Sequence, residues 1–478
     1  MVILPKIRTN RKRHKWIIIP LIILVLLIAV GQQFLFKKSE TIQDAISRIR
    51  ARGYLIALTD KNSLNYFINR GQPMGYQLEL LKSFADYLNV PLKIVVSNDV
   101  SKLFYYLDLN AGDLLALNIP ISRDGKKQLH FCNPFGETRM VLVQRKPIVK
   151  NVKDTVTFIR SLSDFSGDTV YMRNNLLAEP VLRQFLGKTE RKIVLRKVQV
   201  QNTVELIRLV SEKKINYAIC DENMAMVVKR FYRNIDAELV ISKFYEYAWG
   251  VSLASDSLLQ TINNWLAEMK PKELKRIYLA YYNNPRVVSY FQNDFCSLNG
   301  EKLSPFDEVI RNNSKRIRWD WRLVASLIYE ESNFREGLVS SHNAEGLMQL
   351  MPETAKKFGM DSLSTPSTQI AAGIKYLGWL DHQLPEDIKD PRERINFILA
   401  SYNVGMGRVL SAREKAFKYG RNKNKWNDNV DYYLTRRSKK DPNPQPDTIA
   451  GLLPYEASGG FIDNILERYQ HYKNIIPQ

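Results

Sequence analysis

The hydrophobic rhythm of this 478-residue chain changes once, near Ser304, and that change limits what the chain can fold into. Before it, short β-rich runs alternate with helical spacing. Leu55–Leu58, Leu92–Val96, Thr138–Gln144, Thr169–Met172 and Tyr217–Cys220 read as strands, and Tyr76–Leu88 and Val204–Glu212 as amphipathic helices. Such alternation predicts an α/β domain with largely parallel strands. After Ser304 the strand signal nearly vanishes, while helical spacing recurs in Trp319–Asn333, Ser367–Leu384 and Ile395–Val404. Asn283–Leu303, with a Pro, an Asn-Gly pair and mixed polarity, reads as the connection.

A third element precedes both. The first 38 residues carry eight basic side chains (Lys6, Arg8, Arg11, Lys12, Arg13, Lys15, Lys37, Lys38) and no acid, and between them Trp16–Phe36 is apolar except for Gln32 and Gln33. As a helix at ~1.5 Å per residue that run spans about 31 Å, enough to cross a bilayer once. Six of the positive charges come before it, so residues 1–15 are expected in the cytoplasm, 16–36 in the membrane and everything after Lys38 in the periplasm. No small-x-small site follows the run and no Cys lies near it, so an uncleaved anchor is expected rather than a signal peptide. Export changes the meaning of the net charge of +21: an anionic polymer or lipid remains a partner, and nucleic acid does not. The three cysteines, Cys132, Cys220 and Cys296, are widely spaced and suggest neither a disulfide framework nor a zinc site. With no nucleotide loop or metal-ligand cluster in view, no cofactor and no metal are expected.

The helical half contains one acid in an unusual place. Asp320 can cap a helix from Trp321 to about Asn333. At about 100° per residue, Val324, Leu327 and Ile328 lie within about 60° of Glu331, and Arg322 points directly away. Glu331 therefore projects from the apolar face, with Glu330 at its edge. Desolvation disfavours the charged form of such a carboxyl and raises its pKa, which suits a general acid at neutral pH.

Four ordered segments surround this position: Glu331-Ser-Asn-Phe, Ala344-Glu-Gly-Leu-Met-Gln-Leu-Met-Pro-Glu-Thr-Ala, Ala371-Ala-Gly-Ile-Lys-Tyr-Leu and Ala400-Ser-Tyr-Asn-Val-Gly-Met-Gly-Arg-Val. In this order and spacing they resemble the soluble-lytic-transglycosylase catalytic domain, a mainly α, lysozyme-like fold of the glycoside hydrolase family 23 type. The first half is similar to the family 3 solute-binding proteins, through Gly53-Tyr-Leu-Ile-Ala-Leu-Thr, Gly75-Tyr-Gln-Leu-Glu-Leu-Leu-Lys-Ser-Phe-Ala-Asp-Tyr-Leu, Phe131-Cys-Asn-Pro-Phe and Ile215-Asn-Tyr-Ala-Ile-Cys-Asp. The order of parts resembles the membrane-bound lytic transglycosylase F family. It implies a solute-binding-like domain at 45–284, a linker at 285–303 and a catalytic domain at 304–478.

The resemblance implies cleavage of the β-1,4 bond between N-acetylmuramic acid and N-acetylglucosamine in peptidoglycan. Glu331 would protonate the leaving oxygen and then accept the proton of the muramic 6-hydroxyl, giving a 1,6-anhydro end. Ordinary glycosidases use two carboxyl groups; here the substrate's acetamido group and hydroxyl would take over the second one's tasks, and Glu330 is expected to be structural. By the same carry-over Ser332 would bond near the acid, Met348 and Gln349 would line the sugar groove, Tyr402 would sit close to Glu331, and Asn403 would hold loop or substrate. In the first half Asp221 matches the acid that holds a ligand ammonium group, whereas the family's carboxylate-binding Arg is replaced by Gly125, with Arg123 two residues away. An amino acid or wall peptide is the candidate ligand there. Near the C-terminus Tyr455, Glu456 and Phe461 match the family's closing motif imperfectly. Ser411–Lys440, with ten Lys or Arg against three acids, is either a surface for anionic peptide stems or a solvated loop. Two other readings stay open: a goose-type lysozyme, which adds water and gives a product heavier by one water, and a non-catalytic glycan or solute sensor.

Overall fold

The computed structural model describes residues 44–61, 64–147, 158–174, 177–187, 192–200, 202–284, 286–290, 293–435 and 459–478. The expected cytoplasmic segment and membrane anchor at 1–36, and Tyr455 and Glu456, lie outside the described residues. Among the described residues no helix is long and apolar enough to cross a membrane.

The first half forms two lobes, each built on its own sheet. One sheet runs in the order Leu92–Val96, Leu55–Thr59, Leu114–Pro120, Tyr245–Ser252 and Leu129–Phe131, with Gly136–Thr138 also paired to Tyr245–Ser252. The other runs Ile193–Val198, Asp168–Arg173, Tyr217–Asp221, Met140–Arg145 and Ile235–Asp236. In each, the first three strands are parallel and the rest are antiparallel. The sheets are thus mixed, which corrects the expectation of largely parallel strands. Parallel neighbours need a helical crossover, and the strands on either side of the two lobe-to-lobe passages, at Thr138–Met140 and at Asp236–Tyr245, have none. The segment expected as a linker is packed: Val287, Cys296 and Leu298 belong to the α/β core, and the Ser297 N–H donates to Ile68 O at 2.8 Å.

The second half is helical, and four of its helices position the acid: α1 (Trp321–Ser332), α2 (Pro366–Gln383), α3 (Pro391–Val404) and α4 (Gly459–Ile475). The first three begin on a side-chain cap, Asp320, Thr365 and Asp390, each accepting a first-turn backbone N–H. Proline follows immediately in α2 and α3, where its missing N–H costs nothing. Helix α4 covers the side of α1 that periodicity assigns to solvent. Ser326 Oγ donates to Ile465 O at 2.7 Å, and Arg322, 8% exposed, forks onto Asp320 and donates to Ile476 O at 2.8 Å. Arg322 does lie opposite the apolar face, but under a second layer rather than in water.

Helix α4 also reaches the α/β domain. The Tyr472 hydroxyl donates to Gly71 O at 2.7 Å, Asn474 Nδ2 donates to Ile94 O at 2.9 Å, and His471 Nδ1 lies 2.6 Å from the Tyr66 hydroxyl. Tyr66, Ile68 and Leu78 of the first half share the core of the second. Gly71 has a left-handed φ of 82°, and a Cβ there would lie 2.6 to 2.8 Å from Tyr329, Phe334 and Tyr472, so only glycine permits the domains to approach this closely.

Candidate functional site

Glu331 sits in the last turn of α1, which stops at Asn333 in a left-handed conformation with its N–H on Tyr329 O at 2.8 Å. The two adjacent glutamates meet different surroundings. Glu330 accepts from Arg468 Nη1 at 2.8 Å and Asn464 Nδ2 at 2.9 Å, both on α4. Glu331 is half-buried, and among the described residues no side chain donates to it. Burial pushes its carboxyl up to about 8, with the Glu330 charge adding in the same direction. It therefore holds its proton at neutral pH.

A tight loop from Leu338 to Leu350 folds over the end of α1. Glu345 and Leu350 exchange backbone bonds at 2.9 and 3.2 Å, and the Gly346 N–H donates to Leu338 O at 2.9 Å. Three of the polar residues assigned to the site by the sequence, Ser332, Gln349 and Tyr402, converge on this loop. Ser332 is buried, and its hydroxyl reaches Ile328 O at 3.0 Å and Leu347 O at 2.8 Å. Gln349 holds a left-handed φ of 44° while its Nε2 donates to Leu338 O at 2.9 Å and Gly346 O at 2.8 Å. Tyr402, on α3, donates its hydroxyl proton to Met348 O at 2.5 Å and packs on Tyr376 with ring centroids 5.3 Å apart. Burial, followed by the neighbouring Glu331 charge, drives the Tyr402 phenol well above its usual pKa. Asn403 has a buried Oδ1 without a partner among the described residues.

Met348 differs from expectation. Its side chain is 1% exposed, and its Sδ occupies the space that Gly373 leaves open, so it fills the core behind the loop and only its carbonyl faces the site. Phe461 is likewise buried. Sequence reasoning missed Gln369 on α2, whose Oε1 accepts the Leu347 N–H at 2.9 Å. The available signal was a polar residue four positions before Gly373, on the same helix face.

In the α/β domain a cavity of ≈ 60 Å³ lies between the lobes, lined among others by Asp60, Asn118, Thr138, Arg173, Asp221 and Tyr245. Asp221 accepts the Tyr245 hydroxyl proton at 2.5 Å. Burial raises its carboxyl pKa, while Tyr245 and Arg173 oppose the shift. Arg123 is exposed and does not line the cavity. The guanidinium inside it belongs to Arg173, at the end of a strand in the second lobe and desolvated enough to lower its pKa. Strand ends facing a cleft are where ligand-contacting residues collect in α/β folds, which is the signal that could have found it. Among the described residues no group of three or more His, Cys, Asp or Glu could hold a metal ion. All three cysteines are free and buried.

A family model described as "Transglycosylase SLT domain" matches residues 308–427, and one described as "Bacterial extracellular solute-binding proteins, family 3" matches residues 55–284. A membrane-bound lytic murein transglycosylase F of Desulfosudis oleivorans is 28% identical over 459 residues, covering 95% of this chain and 97% of the relative. One of Pseudomonas fluorescens (strain Pf0-1) is 29% identical over 421 residues, covering 87% and 84%. Among solved structures, holo ArgBP from T. maritima is similar over 50% of this chain and 99% of its own, at 19% identity and a TM-score of 0.39.

Proposed function

We propose that this chain, a member of the membrane-bound lytic murein transglycosylase F family, is a peptidoglycan lytic transglycosylase with Glu331 as its single acid and base. The observation that carries the reading is the unequal treatment of the two glutamates. Glu330 is bonded to Arg468 and Asn464, whereas Glu331 is unpaired among the described residues and its pKa is pushed up to about 8. A neutral carboxyl can give its proton to the glycosidic oxygen between N-acetylmuramic acid and N-acetylglucosamine. The resulting carboxylate, desolvated and therefore a strong base, takes the proton of the muramic 6-hydroxyl as that oxygen closes on the anomeric carbon. The bond to the leaving sugar breaks, a 1,6-anhydro ring forms, and Glu331 ends the cycle protonated.

No second carboxylate has to place a water, which favours this chemistry over lysozyme-like hydrolysis: the neighbouring Glu330 is tied to α4. Tyr402 and the 346–349 loop define the wall against which the sugar would lie, with Ser332 and Gln349 bracing that wall from behind. Asn403 carries an unpaired acceptor suited to a substrate amide or hydroxyl.

The same reading assigns Trp16–Phe36 as a single membrane span with a cytoplasmic N-terminus, which puts both domains in the periplasm. It assigns the α/β cleft to a small ligand bearing an ammonium and a carboxylate group, such as an amino acid or wall peptide, recognised by Asp221 and Arg173. Such a ligand would sit between the lobes, in the cavity that these two residues line. Mass spectrometry of peptidoglycan digested by the full chain in detergent tests the catalytic reading. Anhydro-muropeptides that vanish in Glu331→Gln are expected; products heavier by one water would transfer the chain to the lysozymes.

A further inference from the structure

We infer that Gln369 is a positioning residue for this reaction: it fixes the peptide that orients Tyr402 at the acid. The inference rests on reading Glu331 as the acid. Gln369 is buried on α2, and both ends of its amide are used. Oε1 accepts the Leu347 N–H at 2.9 Å, and Nε2 donates to Ser364 O at 2.9 Å, so turning the amide over would break both bonds. One helical turn later Gly373 receives Met348 Sδ, which seats the same loop on the same face of α2. Gly346, with a left-handed φ of 76°, completes the fit: a Cβ there would lie 2.4 Å from Gln369 Oε1.

The two polar backbone groups of Leu347 are therefore held by side chains from two helices. Its N–H is held by Gln369 of α2, and its C=O by Ser332 of α1, the residue after Glu331. The next carbonyl, that of Met348, accepts the Tyr402 hydroxyl proton. A phenol has one proton. With it committed to Met348, the Tyr402 hydroxyl has no proton left for Glu331, its neighbour, and an acid that receives no hydrogen bond keeps its own proton more readily. Gln369 thus acts at a distance on whether Glu331 keeps its proton. Without it the Leu347 N–H is buried and unsatisfied, which is costly. The loop then turns, the Met348 carbonyl leaves Tyr402, and the phenol becomes free to donate toward Glu331.

The test uses the full chain in detergent with carbon-13 at the glutamate carboxyls, the Glu331 signal being assigned by its loss in Glu331→Gln. In Gln369→Met, Glu331 is expected to titrate about one pH unit lower than in the wild type. In the same variant kcat is expected to fall roughly ten- to a hundredfold with KM little changed. Gln369→Glu, neutral when buried, keeps an acceptor for Leu347 and a donor for Ser364, and should restore both readouts. If Gln369→Met does not fold, Gly346→Ala pushes on the same bond and should lower the Glu331 titration alike. A folded Gln369→Met or Gly346→Ala variant in which Glu331 titrates as in the wild type overturns the inference. A wild type that produced no anhydro-muropeptides would overturn the functional reading instead, and the titration would still decide the role of Gln369.

Discussion

In the cleft of the α/β domain Asp221 accepts a proton from the Tyr245 hydroxyl and faces Arg173, whereas at the end of α1 Glu331 has neither a donor nor a cation among the described residues. Burial raises both carboxyls. At Asp221 the neighbours oppose the shift, and at Glu331 the nearest charge, Glu330, adds to it. The first arrangement offsets part of the cost of a fixed charge and suits holding something. The second keeps a proton where a proton can be given away, and the rest of the domain must supply the stability it costs.

The largest effect that could break this comparison is on turnover. Replacing Glu331 with Gln keeps the shape and removes the transferable proton, so formation of anhydro-muropeptides should fall by about a thousandfold or more. Glu330→Gln should leave turnover within a few-fold and lower Tm, because Arg468 loses its carboxylate partner. Equal loss of turnover in the two variants would mean that the acid is not a single residue.

The next effect is the dependence on pH. Turnover should decline as pH rises through about 8, when Glu331 loses its proton. Stability follows the same group. Its folded pKa lies above the ordinary value of 4.5, so between about 4.5 and 8 the native state binds more protons than the unfolded one, and stability falls as pH rises through that window. Glu331→Gln removes this dependence. Its Tm should match the wild type near pH 4.5 and exceed it by on the order of 5 °C above pH 8, read by differential scanning fluorimetry across the range. Parallel Tm curves for the two proteins would mean that Glu331 is solvated like a surface acid.

Much of this site could be read from local sequence, and the exceptions share a cause. The capped helix at Trp321–Ser332 and the desolvation of Glu331 follow from spacing within a dozen residues. The burial of Arg322 does not, because its cover comes from Ile476, 154 positions later. The family resemblance places Met348 in the groove, yet its side chain fills the space left by Gly373 on a helix that periodicity cannot place against it. Arg173 was overlooked for a similar reason: its lobe reaches the cleft only after the chain has crossed between sheets. Periodicity reports which face of an element is apolar, but not which distant element covers the other face.

The smallest expected effect makes the same chemical change on the other side of the comparison. Asp221→Asn also turns a buried carboxyl into an amide, but here the acid has an opposite charge to balance. Without it Arg173 keeps Asp60 as its nearby carboxylate and loses the attraction of Asp221, while Tyr245 keeps an acceptor in the amide oxygen. Because burial still leaves the Asp221 shift upward, the ionised acid costs some stability at pH 7, and the variant should show a slightly raised urea midpoint with an unchanged slope. Glu331→Gln under the same conditions should shift the midpoint upward. If the Asp221→Asn midpoint rises as far as that of Glu331→Gln, Asp221 is as uncompensated as Glu331, Arg173 is not its partner, and the cleft acid is poised for proton transfer rather than for holding a cation.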